Sequence, residues 1–163
     1  MAQTATLTIE SPAFEDGGVI PTKYTGDGPD HSPELRWSEP PEGTRELALI
    51  VDDPHAPTRE PWTHWLIYKI PPDVRGLPEA VPKGKLHLDD PKGAVQGKNS
   101  FGSIGYGGPA PPKGHGRHHY HFKLYALDTP LDIGAGADRT TVLRAMADRV
   151  LAKGELIGTY ERP

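Results

Sequence analysis

Short runs in which apolar and polar residues alternate recur along this chain, and each predicts an extended element. In Ala5–Ser11, Leu7 and Ile9 alternate with Thr6 and Thr8, the pattern of a half-buried strand. The run Glu46–Asp53 (ELALIVDD) is continuously apolar at its centre and reads as a central strand. Thr63–Ile70 (THWLIYKI) is rich in β-branched and aromatic residues and stops at Pro71-Pro72. His119–Leu127 (HYHFKLYAL) alternates again, and Glu155–Glu161 (ELIGTYE) predicts a last strand. Only one segment changes period: over Thr141–Lys153, Val142, Met146 and Val150 fall at i, i+4 and i+8, which predicts a helix. Thr140 is placed to cap its start and Gly154 to end it.

Composition sharpens this picture. The 163 residues include 19 glycines and 19 prolines. These are interleaved with the apolar runs instead of forming one polar tract, which predicts a strand-and-loop protein with many turns. The length suits a single domain over residues 1–163, and with 35% hydrophobic residues its core should be compact. Between Pro71 and Gly116 lies a long Gly/Pro-rich stretch with few apolar anchors. A loop of that length in a compact domain is functional or conceals short elements.

The charge balance narrows the function classes. A net charge of −4, with no run of basic residues, gives no footprint for nucleic acid. The absence of cysteine excludes disulfide and thiolate chemistry. The N-terminal MAQTATLTIESPAF has no basic start followed by an apolar run, and nothing approaches a membrane span, so a soluble cytoplasmic protein is expected.

Candidate chemistry is concentrated in two places. One is Gly114–Phe122 (GHGRHHYHF), with His115, His118, His119 and His121. Strand parity divides them: His118, Tyr120, Phe122, Leu124 and Ala126 share one face, and His119, His121, Lys123 and Tyr125 the other. The first set is apolar beyond its opening pair, so it should face the core and place His118 and Tyr120 at a pocket floor. His119 and His121 on one face have the spacing to chelate zinc, but no third ligand is marked, and solvated strand histidines are the preferred reading. No metal and no cofactor are therefore assigned. The other place is the strand-end carboxylate pair Asp52-Asp53, followed by His64 between Trp62 and Trp65. Taken alone, Asp53-Pro54 is a turn signal and the tryptophans are core aromatics. Gly102-Ser103-Ile104-Gly105 has the wrong spacing for a nucleophile elbow, and no phosphate-binding P-loop occurs. Gly105-Tyr106-Gly107-Gly108 is a candidate nest of backbone N–H groups for an anion.

Taken together, these segments resemble the phosphatidylethanolamine-binding protein family, also known as the Raf kinase inhibitor protein family, in its bacterial and archaeal branch. The family's Asp-Pro-Asp-x-Pro motif reads Asp53-Pro54-His55-Ala56-Pro57 here, and its Trp-x-His-aromatic element reads Trp62-Thr63-His64-Trp65. Its Gly-x-Gly-x-His-Arg-Tyr block is matched by Gly114-His115-Gly116-Arg117-His118-His119-Tyr120. The segments Ile20–Tyr24, Gly26–Gly28, Ser32-Pro33, Gly105–Pro112 and the tail GELIGTYERP extend the likeness over essentially the whole chain. Two positions depart from the pattern. His55 stands where the family has a second Asp, which should make the pocket rim more positive, and His119 stands where it has Arg, on the face away from the pocket.

The resemblance implies a mainly β fold of two antiparallel β-sheets with a few short peripheral helices, one near the C-terminus. It also implies an anion pocket for phosphate groups, formed by Asp53, Trp62, His64, Gly108, His118 and Tyr120, with His55 at the rim. In that reading His64 and His118 donate to phosphate oxygens, more strongly when protonated, and Asp53 orients a histidine. Anion affinity should then rise as pH falls through about 6.5. The implied role is a non-catalytic binding protein whose ligand is a phosphate-bearing small molecule or a phospholipid head group. Two alternatives stand beside it. One is inhibition of a kinase or serine protease through a protein surface; the other is an acid–base enzyme using His64, His118 and Asp53. The oligomeric state stays open, a homodimer included.

Overall fold

A computed structural model describes residues 5–56, 58 and 60–163. Among these residues ten strands are present: β1 (Ala5–Thr6), β2 (Ile9–Glu10), β3 (Leu35–Trp37), β4 (Glu46–Asp53), β5 (Trp62–Ile70), β6 (Gly76–Leu77), β7 (His87–Asp89), β8 (Lys92–Gln96), β9 (His118–Leu127) and β10 (Val150–Tyr160). One 3-10 turn (Thr22–Tyr24) and one helix, α1 (Arg139–Met146), complete their regular elements. The larger sheet runs β1-β10-β9-β4-β5-β8-β7 and the smaller β2-β3-β6. All pairs are antiparallel except the edge pair β1–β10, which is parallel.

The unbroken apolar run of β4 has a direct cause. Leu47, Leu49 and Val51 enter a core shared with Ile9, Leu35, Trp37 and Leu77 of the small sheet. Ala48 and Ile50 enter a second core on the opposite face, with Val142 and Met146 of α1 and Leu131 of the preceding loop. A strand buried on both faces has no solvent side to mark with polar residues. In β9, by contrast, strict alternation holds: His118, Tyr120, Phe122, Leu124 and Ala126 are buried, and His119, His121, Lys123 and Tyr125 are half-buried.

Three sequence expectations need revision. The predicted first strand is two strands: the chain crosses between residues 6 and 9, so β1 joins the large sheet and β2 the small one. The C-terminal helix is shorter than the apolar period suggests. Asp138, not Thr140, caps it, accepting from the Thr141 N–H at 2.9 Å, and the helical run ends at Met146, shortly before Asp148 with φ +63°. Residues from Val150 onward are recruited into β10, because β9 needs a partner from Leu127 back to His118. Gly154 therefore ends no helix. It lies in β10, where a Cβ would approach the Leu7 carbonyl oxygen to 2.3 Å, so the close passage of the N-terminal chain requires glycine.

The stretch from Pro71 to Gly116 conceals β6, β7 and β8, and elsewhere uses buried amides in place of apolar anchors. The Gln96 amide nitrogen donates to the carbonyls of Pro82 and Lys85, while its oxygen accepts from the Trp65 indole. Asn99 donates to the Gly105 carbonyl and accepts from the N–H groups of Phe101 and Ser103. Among the described residues no helix is long and apolar enough to cross a membrane.

Candidate functional site

The C-terminal end of β4 and the N-terminal ends of β5 and β9 meet at one end of the large sheet's central strands. Asp53 is the last residue of β4, Trp62 the first of β5 and His118 the first of β9. His64 arrives there through an irregularity. Val51 pairs with Trp65 and Asp52 with Thr63, which leaves His64 as the extra residue of a bulge. Plain alternation would send His64 to the face of Leu66 and Tyr68, in the second core. With the bulge its ring instead stands edge-on to Tyr120, centroids 5.1 Å apart.

A cavity of about 210 Å³ opens at this point, lined by Asp53, Trp62, His64, His118 and Tyr120 on one side and by Phe101 and the Ala110–Pro112 segment on the other. Ala56 and Thr58 complete its rim. Asp53 is 3% exposed. Its Oδ2 accepts from His118 Nδ1 at 2.5 Å and its Oδ1 from the His55 backbone N–H at 2.8 Å. Through these bonds the Asp-Pro turn fixes the tautomer and the ring plane of His118.

His64 is clamped twice to the Gly/Pro-rich loop. Its Nδ1–H donates to the Gly107 carbonyl at 2.6 Å, and its own carbonyl accepts from the Gly107 N–H at 2.9 Å. Burial holds the His64 pKa below the ordinary imidazole value, outweighing the Gly107 hydrogen bond and the neighbouring carboxylates. At neutral pH the ring is therefore uncharged and Nε2 presents a lone pair. This revises the expectation that His64 is a donor: it becomes one only on taking up a proton. Tyr120 is the reverse case, since burial and then the Asp53 charge raise its phenol pKa and keep a hydroxyl donor at the cavity floor.

Of the seven residues expected at the pocket, five line the cavity, and His55 and Gly108 do not. Gly108 belongs to an adjoining depression of about 510 Å³ that shares Phe101 and Ala110 with the cavity. Its N–H donates to Asp30 Oδ1 at 2.8 Å, and the Gly107 N–H donates to the His64 carbonyl, so these two groups of the candidate nest Gly105–Gly108 are engaged. The charged residues of that depression, Asp30 and Lys83, satisfy each other at 2.9 Å, and convergent polar chemistry belongs to the smaller cavity. His55 is exposed and lies outside, its ring edge-on to His119 with centroids 5.8 Å apart. The two departures from the family pattern thus touch each other. Pro57 of the first motif lies outside the described residues.

Asp52 is separated from Asp53 by the sheet itself. It is fully buried on the outer face, where its Oδ2 accepts from Arg139 at 2.6 Å and Lys123 at 3.3 Å. His121 is also on that side, 3.0 Å from Glu155. Among the described residues no group of three or more His, Cys, Asp or Glu side chains is arranged to hold a metal ion. Phe101 escaped the sequence reading. It packs edge-on against both Trp62 and His64, and the only signal for it was an aromatic residue stranded in a glycine-rich loop.

A family model described as phosphatidylethanolamine-binding protein matches residues 10–161. The chain belongs to this family. It is 50% identical over 157 residues to a UPF0098 protein of Methanothermobacter thermautotrophicus, a match covering 96% of this chain and 99% of that one. Among solved structures it is similar to Escherichia coli YbcL, described as a member of the mammalian PEBP family, with a TM-score of 0.87 and 36% identity over 98% of this chain and 100% of that one. A PEBP homologue from Chlamydia trachomatis is similar with a TM-score of 0.85 and 38% identity over 98% and 100% of the two chains. The mainly β architecture of two sheets with one short C-terminal helix is that of the PEBP fold.

Proposed function

We propose that this PEBP-family member is a cytoplasmic, non-catalytic binding protein whose cavity takes a phosphate group, free or borne on a small molecule or lipid head group. The observation that carries this reading is the convergence of His64, His118 and Tyr120 on a small cavity with largely apolar walls. Tyr120 supplies a hydroxyl donor. The lone pair of His64 Nε2 accepts from a protonated phosphate oxygen, or takes up a proton together with the anion. Binding is therefore coupled to protons and strengthens as pH falls. Because His64 titrates below the ordinary imidazole value, the gain continues below about pH 6.5 instead of levelling there.

Titration with inorganic phosphate, followed through the ring resonances of His64 and His118, tests the reading. Both should shift in the millimolar range, and at a lower phosphate concentration at pH 5.5 than at pH 8. Rings unmoved at millimolar phosphate, or an affinity flat across that range, overturn it. Stoichiometric inhibition of a serine protease or kinase that persists when the cavity is blocked by His64→Trp would favour the protein-surface alternative.

A further inference from the structure

Three of the four histidines between residues 115 and 121 have places in the fold: His118 in the cavity, His119 against His55, and His121 beside Glu155. His115 lies in the exposed loop between Pro112 and Arg117, outside the strand. It nevertheless reaches back to the site: its Nδ1 is 2.6 Å from His118 Nε2, and the two rings are 4.9 Å apart at 48°. An imidazole has only two polar atoms. With Nδ1 donating to Asp53, His118 has both nitrogens engaged, and neither serves a ligand while His115 is in place.

The loop is built to let His115 move. Gly114 and Gly116, on either side, adopt φ of +72° and +88°, and nothing lies within 4 Å of where a Cβ would stand on either. Such positions leave the space beside His115 open. The backbone is held at these positions, by Gly114 N–H to the Arg162 carbonyl at 2.9 Å and His115 N–H to the Pro112 carbonyl at 3.2 Å, so it is the exposed His115 side chain that turns away.

We propose that His115 is a displaceable plug, a specificity-determining residue that competes with the bound phosphate for His118 Nε2. The proposal rests on the phosphate reading of the cavity. His115 Nδ1 and His118 Nε2 share one hydrogen, so a group that displaces His115 must take over its side of that bond. A phosphate monoanion fits, because it carries both P–OH donors and unprotonated acceptor oxygens, and the latter also accept from Tyr120. A neutral ligand lacks the charge-assisted bonds that make displacement favourable. The plug therefore selects anionic phosphoryl groups over neutral ligands.

The test compares the intact protein with His115→Ala in inorganic phosphate titrations at pH 6, read from the His64 and His118 ring resonances. Removing a competing part-buried hydrogen bond should tighten phosphate binding by about three- to tenfold. In the intact protein, phosphate should move the His115 resonances to those of a free, solvated imidazole. His115→Asn, whose shorter side chain keeps a donor but reaches less far, should fall between the two. If the intact protein binds phosphate and His115→Ala binds it equally or more weakly, the plug is wrong and the cavity reading stands. If phosphate shifts neither ring in either protein, the cavity reading falls and takes the plug with it.

Discussion

Asp52 and Asp53 are neighbours in the chain, both buried, and both bonded to a basic side chain across the sheet from β9 or beyond it. They differ in which face they occupy and in what kind of base they meet. Asp52 faces the guanidinium of Arg139 and the ammonium of Lys123, and it closes the outer face where α1 docks. Asp53 faces the imidazole of His118 at the floor of a cavity. Adjacent carboxylates of similar burial thus belong to different kinds of structure. A carboxylate locked to permanent charges fixes architecture; one paired with an imidazole beside open space positions chemistry.

The sharpest way to probe that difference is to remove one group from each side. His64→Ala on the cavity side should have the largest effect. It empties the volume of a buried ring packed between Tyr120 and Phe101 and breaks the clamp on Gly107, which by comparison with other buried aromatic truncations costs about 3 kcal/mol. Urea denaturation would measure this, and the phosphate-induced shift of His118 should vanish with it. Asp52→Asn should be next, at about 2 kcal/mol, the scale of hydrogen bonds to charged groups. Its phosphate titration should match that of the intact protein. If Asp52→Asn weakens phosphate binding as much as it weakens the fold, the two faces are not separate and the comparison fails.

A pH series distinguishes the sides without changing their geometry. His64 has its pKa lowered by burial, so the unfolded chain takes up a proton at this position before the folded one does. Stability is then independent of this group above about pH 6.5 and declines as pH falls from there toward the lower folded-state value. Replacing His64 by Asn, which does not titrate, should flatten that decline. The same slope in the intact protein and His64→Asn would show that another group governs it.

Much of this was readable beforehand, for identifiable reasons. The β9 face assignment was legible because one of its sides reaches water at Lys123, so the residues carry an alternating mark. The entry of His64 to the cavity was not, since a bulge shifts parity without a signature in the residues around it. The end of the helix was hidden for a related reason. Val150 fits the helical period and is claimed by pairing with Leu127 instead, a tertiary preference that local periodicity cannot register. The family motifs brought Asp53, His64 and His118 together as a set. They carried no information about Phe101, whose loop is held by the buried amide of Asn99, or about the nitrogens of His118, which are engaged by Asp53 and by His115 from a separate loop.

The smallest expected effect concerns the two positions that depart from the family pattern. His55 was expected at the pocket rim, where its replacement by Asp would place a negative charge close to a bound anion. In the structure its side chain is exposed and outside the cavity, and only its backbone N–H reaches the site, through Asp53 Oδ1. Solvent screens a charge so placed, so His55→Asp should weaken phosphate binding by only about twofold. The ring contact with His119 gives a second measurement. The family pattern pairs Asp with Arg at these positions, and such a pair is worth about 0.5 kcal/mol at an exposed site. His55→Asp combined with His119→Arg should therefore be more stable than the sum of the single variants by about that amount. Additivity within error would show the contact to be uncoupled, and phosphate binding as tight in His55→Asp as in the intact protein would remove His55 from any part in the electrostatics of the cavity.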